Sequence, residues 1–253
     1  MKFSIIIPTY NCVEKIDKTI ASVIGQNTST SEGYELVIVD GKSTDGTQLR
    51  IKEIISGLPE SVKNRIVYVS EADDGIYDAM NKGLKKATGD YVLFLGAGDY
   101  LIKRTTINMI ARAIELTEKP DVLYGYVHTK IDGISGIMDR KIDFNYTFRF
   151  LPVCHQAIVA KRKLFDEKLF DTSYKAVADQ DWIMYMVKKR KHFVHVNVPI
   201  AYYEEEGFSS MDKQTILKAQ HDLYDIHNKY FKLRRVLYLM CKKAKHIVTN
   251  LMR

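Results

Sequence analysis

The run Ser4-Ile5-Ile6-Ile7, stopped by Pro8-Thr9-Tyr10-Asn11, is apolar at nearly every position instead of alternating. That pattern belongs to a strand buried on both faces, as in a sheet with helices on either side. It returns at Glu35–Val39, Ile66–Val69 and Tyr91–Leu95. Between these runs, Val13–Ile24, Thr47–Ile55 and Ile76–Ala87 carry helical spacing. Strand and helix in alternation give an α/β fold with a Rossmann-like, mostly parallel central sheet flanked by helices. The second half is less regular. Val122–Lys130 and Ile134–Ile142 flank Asp132-Gly133, a hairpin turn signal. Ala157–Ala160 and Phe193–Val198 read as strands, and Gln180–Lys188 and Gln214–Tyr230 as helices.

The chain has 253 residues, 46% of them apolar, enough for one full core. No repeat or Pro/Gly/Ser-rich linker divides it, so residues 1–231 are expected to form a single domain with a helical extension at 232–253. From Lys229 onward there are eight Lys or Arg and no acid; the whole carries +7, so the rest sits near −1. The basicity is a property of the tail, and a nucleic-acid-binding body is not expected. The N-terminal apolar run ends at Pro8, too soon for a secretory signal. No stretch of about 18 apolar residues suggests a transmembrane helix. Cys12, Cys154 and Cys241 are scattered and odd in number, which fits buried thiols in a reducing cytoplasm better than a disulfide framework or a zinc site.

Ligands of such sheets bind beyond the carboxyl ends of the strands. The chemistry-bearing residues fall there. Pro8-Thr9-Tyr10-Asn11 follows the first strand, and Asp40-Gly41-Lys42-Ser43-Thr44-Asp45-Gly46-Thr47 the second. Asp40 is placed to accept the N–H of a base or a sugar hydroxyl, but turns of this kind also hold acids that only cap a helix. Glu71-Ala72-Asp73-Asp74-Gly75 precedes the third helix, where carboxylates are electrostatically favoured in any case. Gly96-Ala97-Gly98-Asp99 follows the fourth strand. Its glycines admit a ligand close to the backbone and Asp99 offers a hard oxygen; capping is the plain alternative.

As an ordered set these stretches are more specific than any one of them. Ile5-Ile6-Ile7-Pro8-Thr9-Tyr10-Asn11, Val39-Asp40-Gly41-Lys42-Ser43-Thr44-Asp45-Gly46-Thr47, Asp74-Gly75-Ile76-Tyr77-Asp78-Ala79-Met80-Asn81-Lys82-Gly83 and Thr88-Gly89-Asp90-Tyr91 through Asp99 closely resemble the family 2 glycosyltransferases of GT-A type. Cys154-His155-Gln156-Ala157 and Ala178-Asp179-Gln180-Asp181-Trp182 continue the likeness more weakly. The resemblance implies a nucleotide-sugar donor half in residues 1–102 and an acceptor half in 103–231. It implies that Thr9, Tyr10 and Asp40 form the nucleobase pocket, with Asp74 and Asn81 as further donor contacts. It makes Asp99 the ligand of a divalent Mn²⁺ or Mg²⁺ held against the donor diphosphate, and Asp179 the catalytic base. A lone carboxylate is chemically sufficient for such a cation, which keeps phosphates and water as its other ligands. The sequence departs from the family at Gly98, where a second acid is common, and at Met80, where Arg is common.

On the acceptor side, His155 is a candidate contact to acceptor or leaving phosphate, and Asp181 a rival base that more naturally orients Asp179 or caps the helix. Trp182 reads as core. The Gln-x-x-Arg-Trp motif that processive family members carry after the base does not follow Asp179, nor are their transmembrane helices present, which implies transfer of one sugar. The expected activity is an inverting hexosyltransferase acting on a glycan or polyprenyl-linked oligosaccharide in capsule, O-antigen or exopolysaccharide synthesis. The rival is a nucleotide-sugar-binding subunit without catalysis. In the tail, Leu233, Val236, Leu237, Met240, Ala244, Ile247, Val248 and Leu251 share one helical face opposite basic residues. Such a helix would hold a cytoplasmic enzyme on the anionic inner face of the membrane, or pack against the body or a second subunit in a homodimer.

Overall fold

The computed structural model describes residues 1–28, 33–131, 134–139, 141–142, 153–204 and 214–230. The Asp132-Gly133 turn, the aromatic stretch from Phe144 to Phe150 and the tail beyond Tyr230 lie outside them. In chain order the elements are β1 (Phe3–Thr9), α1 (Ile16–Ile24), β2 (Tyr34–Asp40), α2 (Thr47–Ser56), α3 (Glu60–Lys63), β3 (Ile66–Ser70), α4 (Ile76–Lys86), β4 (Tyr91–Phe94) and β5 (Tyr100–Leu101). There follow α5 (Thr106–Leu116), β6 (Val122–Ile131), β7 (Ile134–Met138), a 3₁₀ turn (His155–Ala157), β8 (Ile158–Lys161), α6 (Leu164–Glu167), α7 (Ala178–Lys188) and β9 (Phe193–Glu204). Residues 214–230 form a last helix, α8.

One sheet runs through the molecule in the order β3-β2-β1-β4-β8-β6-β9-β5, with β7 hairpinned onto β6. The strands β3, β2, β1 and β4 are parallel, and every residue of β1, β2 and β4 is buried. β8 enters antiparallel between β4 and β6, and β9 runs parallel to β6. Among the described residues, six of the nine strands therefore point one way and β5, β7 and β8 the other. The expected mostly parallel sheet is present, and its second half is mixed.

Helix α4 lies directly on β1 and β2. Gly83 makes this approach feasible, because a Cβ there would overlap the Ile6 side chain. The core runs unbroken from Ile5, Ile6, Leu36 and Ile38 into Ile110, Ile114, Leu123 and Trp182. Trp182 is core, as its sequence context suggests: 2% exposed, stacked on Phe165 at 4.6 Å, its indole N–H donated to the Lys168 carbonyl at 2.9 Å. Helix α5 is not among the elements read from sequence, although Ile107, Ile110, Ala111 and Ile114 bury one helical face.

Candidate active site

The loops after β1, β2 and β3 meet at the carboxyl edge of the parallel strands around a cleft of about 1040 Å³, lined by Thr9, Tyr10, Asn11, Asp73, Ile76 and Ala97 among others. The first two loops are laced together. Asn11, at φ 44°, donates its N–H to Ser43 Oγ at 2.9 Å, and its side-chain oxygen accepts the Thr44 N–H at 2.9 Å. Tyr10 is left 63% exposed, with its ring free for stacking. Thr9 is buried, its hydroxyl turned to the Val39 carbonyl. Asp40 lies beneath this wall, fully buried, accepting Ser70 Oγ–H at 2.7 Å and both the N–H and hydroxyl of Ser43 at 3.1 and 2.5 Å. Burial pushes the Cys12 thiol at the same rim up to about 11, so it is neutral and unreactive near pH 7.

Asp99 lies two residues beyond Ala97, which forms part of the cleft wall, and does not itself line the cleft. Gly98 takes φ 105°, a conformation costly for any other residue, and its N–H is donated to Thr19 Oγ1 at 2.9 Å. This turn buries Asp99 to 4% exposure with Oδ2 accepting the Gly96 N–H at 3.0 Å and Gln156 Nε2–H at 2.7 Å. Among the described residues no three His, Cys, Asp or Glu cluster as a metal cage. A single carboxylate suffices for a hard divalent cation that brings phosphate and water as its other ligands, and Asp99 offers one.

Asp179 opens α7 and is likewise nearly buried. Its Oδ1 accepts the Tyr77 hydroxyl at 3.1 Å and the Gln180 N–H at 2.8 Å. Its Oδ2 faces His155 Nδ1 at 3.5 Å. His155 and Gln156 are consecutive in the 3₁₀ turn, so one two-residue step joins the carboxylates of Asp99 and Asp179. His155 Nε2 is buried with no hydrogen-bond partner among the described residues.

Three further candidates are placed differently from expectation. Asp181 is a correction. It is fully buried and points away from Asp179: its Oδ1 accepts Lys229 Nζ–H at 3.0 Å and the Tyr230 hydroxyl at 2.9 Å, and its Oδ2 forms an ion pair with Lys168 Nζ at 2.8 Å without hydrogen-bond geometry. Two residues along a helix turn the side chain by about 200°, which separates it from the base and makes it an anchor for α8. Asn81 is a second correction: buried and outside the cleft lining, it grips the Phe170 backbone with both amide ends, at 2.9 and 3.0 Å. Asp74 is exposed, with its carbonyl accepting Lys175 Nζ at 2.9 Å, while the carboxylate facing the cleft from that loop is Asp73, packed against Gly41. Tyr77 and Gln156 stand inside the motifs quoted above without a role; their only sequence signal is that position.

The model of glycosyl transferase family 2 matches residues 4–180. The chain belongs to this family. It is 35% identical over 181 residues to a PGL/p-HBAD biosynthesis glycosyltransferase of Mycobacterium bovis, covering 71% of this chain and 67% of that one. It is 29% identical to the poly(ribitol-phosphate) beta-glucosyltransferase of Bacillus spizizenii, over 80% of this chain and 32% of that one. Among solved structures, S. aureus TarS 1-349 in complex with UDP superposes with a TM-score of 0.68 at 20% identity, covering 91% of this chain and 67% of that chain. A Pyrobaculum calidifontis mannosyltransferase in complex with GDP-Man and Mn²⁺ gives 0.59 at 18% identity, covering 82% of this chain and 59% of that one. The fold of this family 2 member is therefore GT-A, and its activity is that of a glycosyltransferase. No helix among the described residues is long and apolar enough to cross a membrane.

Proposed function

We propose that this family 2 enzyme moves one sugar from a nucleoside-diphosphate sugar, a UDP-sugar first, to a hydroxyl of a glycan or lipid-linked oligosaccharide in bacterial surface polysaccharide synthesis, with inversion. The observation that carries this reading is the pairing of two buried carboxylates, Asp99 and Asp179, through consecutive residues of one turn. Tyr10, Thr9 and Asp40 receive the base end of the donor, Asp40 accepting a base N–H in place of a serine. Asp99 holds the cation beside the diphosphate. A bound Mn²⁺ or Mg²⁺ supplies charge neutralisation at the leaving diphosphate. Asp179 takes the proton from the acceptor hydroxyl as its oxygen bonds to the anomeric carbon and the bond to the diphosphate oxygen breaks. Attack from the face opposite the leaving group inverts the centre. The complexes of S. aureus TarS 1-349 with UDP and with UDP-GlcNAc support a UDP-sugar donor. The basic tail beyond Lys232 supports docking on an anionic membrane surface on the cytoplasmic side.

The test is Asp179→Asn. It should leave UDP affinity nearly unchanged and cut transfer by about 10²–10⁴-fold. Donor binding without any measurable transfer by the unaltered protein would instead favour a nucleotide-sugar-binding subunit.

A further inference from the structure

Tyr77 is 6% exposed, in the first turn of α4, and packs its ring on Phe170 at a centroid distance of 5.5 Å. Its hydroxyl reaches across 102 positions of sequence to Asp179 Oδ1 at 3.1 Å. The two oxygens of that carboxylate are not equivalent. Oδ1 carries two donors, the Tyr77 hydroxyl and the Gln180 N–H, whereas among the described residues Oδ2 meets His155 Nδ1, at 3.5 Å, longer than a good hydrogen bond. We propose that Tyr77 is a positioning residue for the base: it ties down Oδ1 so that Oδ2 is the atom that receives the acceptor proton. This rests on the reading of Asp179 as the base.

Tyr77 is suited to the task. Burial first, and then the nearby Asp179 charge, raise its phenol well above the ordinary value, so it remains a donor throughout the working pH range. Its neighbours Gly75 and Ile76 line the donor cleft. The segment that touches the donor therefore also orients the base, with no residue between Ile76 and Tyr77. A carboxylate free to rotate by one oxygen would lose this placement, and misplacement by about 1 Å costs up to roughly 10²-fold in rate.

The experiment is a double-mutant cycle on the full chain: the unaltered protein, Tyr77→Phe, Asp179→Asn and the pair. UDP release from UDP-glucose and UDP-N-acetylglucosamine is followed with Mn²⁺. Tyr77→Phe should lower kcat by about 10–10²-fold with the donor KM changed less than about twofold. The pair should be no slower than Asp179→Asn alone, because the proposed effect of Tyr77 on the reaction runs through the Asp179 carboxylate. A Tyr77→Phe enzyme within about twofold of normal kcat, or a pair slower by the product of both losses, overturns the inference while leaving the base reading intact. Full turnover by Asp179→Asn defeats the base reading, and the inference with it. Thermal unfolding of the same four proteins gives a readout that needs no turnover. Tyr77→Phe should cost stability in the unaltered background and much less with Asp179→Asn; equal losses in both overturn the proposal.

Discussion

Replacing Asp181 by Asn should unfold the molecule early while sparing its chemistry. Asp181 has no exposed surface and offers its carboxylate to Lys168, Lys229 and Tyr230. Lys168 is 17% exposed and cannot easily regain water, whereas Lys229 is 43% exposed and its share must be discounted for screening. Removing one partner of a buried ion pair costs roughly 3–5 kcal/mol; with Lys229 half in water the lower end applies, about 3 kcal/mol. For a chain of this size about 1 kcal/mol moves the midpoint by roughly 2–4 °C, so a fall of about 6–12 °C is expected. Helix α8 loses its contacts from Lys229 and Tyr230, so limited proteolysis should cut within residues 214–230 first. Differential scanning fluorimetry and a protease time course measure both. A midpoint within about 2 °C of normal refutes the anchoring argument. A stably folded variant that binds UDP yet transfers nothing would make Asp181 the base after all.

Glu35 yields a pH prediction. Burial alone would raise its carboxyl, but hydrogen bonds from Lys2, Ser4 and Thr88 outweigh it and hold the group at about 2. A depressed acid contributes stability above its unfolded value near 4.5 that is lost as pH falls towards 2; this is about 3 kcal/mol, and Glu35→Gln should show a flatter acid limb in unfolding between those limits. Calorimetry of UDP binding should show affinity falling in EDTA and in Asp99→Ala, with Gln156→Ala weakening the Mn²⁺ dependence less; equal affinity in EDTA removes the metal from the reading. A truncation after Lys232 should abolish flotation with anionic liposomes at low salt, and full-length protein that never floats sinks the membrane proposal.

The parallel half was legible because its strands are buried on both faces and announce themselves locally, as Ser4–Ile7 and Glu35–Val39 do. Ordered motifs likewise put Thr9, Tyr10 and Asp99 at or just beyond the carboxyl ends of strands, and Asp179 at the start of a helix. What sequence could not reveal is which groups meet. Tyr77 finds Asp179 from 102 positions away and Gln156 finds Asp99 from 57, and no periodicity encodes such pairings. Asn81 shows the converse hazard: it stands in a donor motif, yet its amide grips the Phe170 backbone. Asp179 and Asp181 look interchangeable on paper, and only the helix geometry and the three partners of Asp181 separate them.

The Asn81 clamp has an implication for how such enzymes change specificity. It grips the main chain of residue 170, so the grip itself is independent of the side chain there, whereas the Phe170 ring is held separately by Tyr77, Phe94, Phe165 and Trp182. Between β4 and β8, too, the ladder is built on backbone pairs from Tyr91↔Lys161 to Leu93↔Val159. The seam between the two halves thus combines backbone pairing with an aromatic cluster, Tyr77 and Phe94 against Phe165 and Phe170, that an exchanged half must preserve. Recombination could graft a foreign acceptor half onto this donor half, provided the incoming segment keeps an acid where Asp179 stands and an amide where Gln156 does.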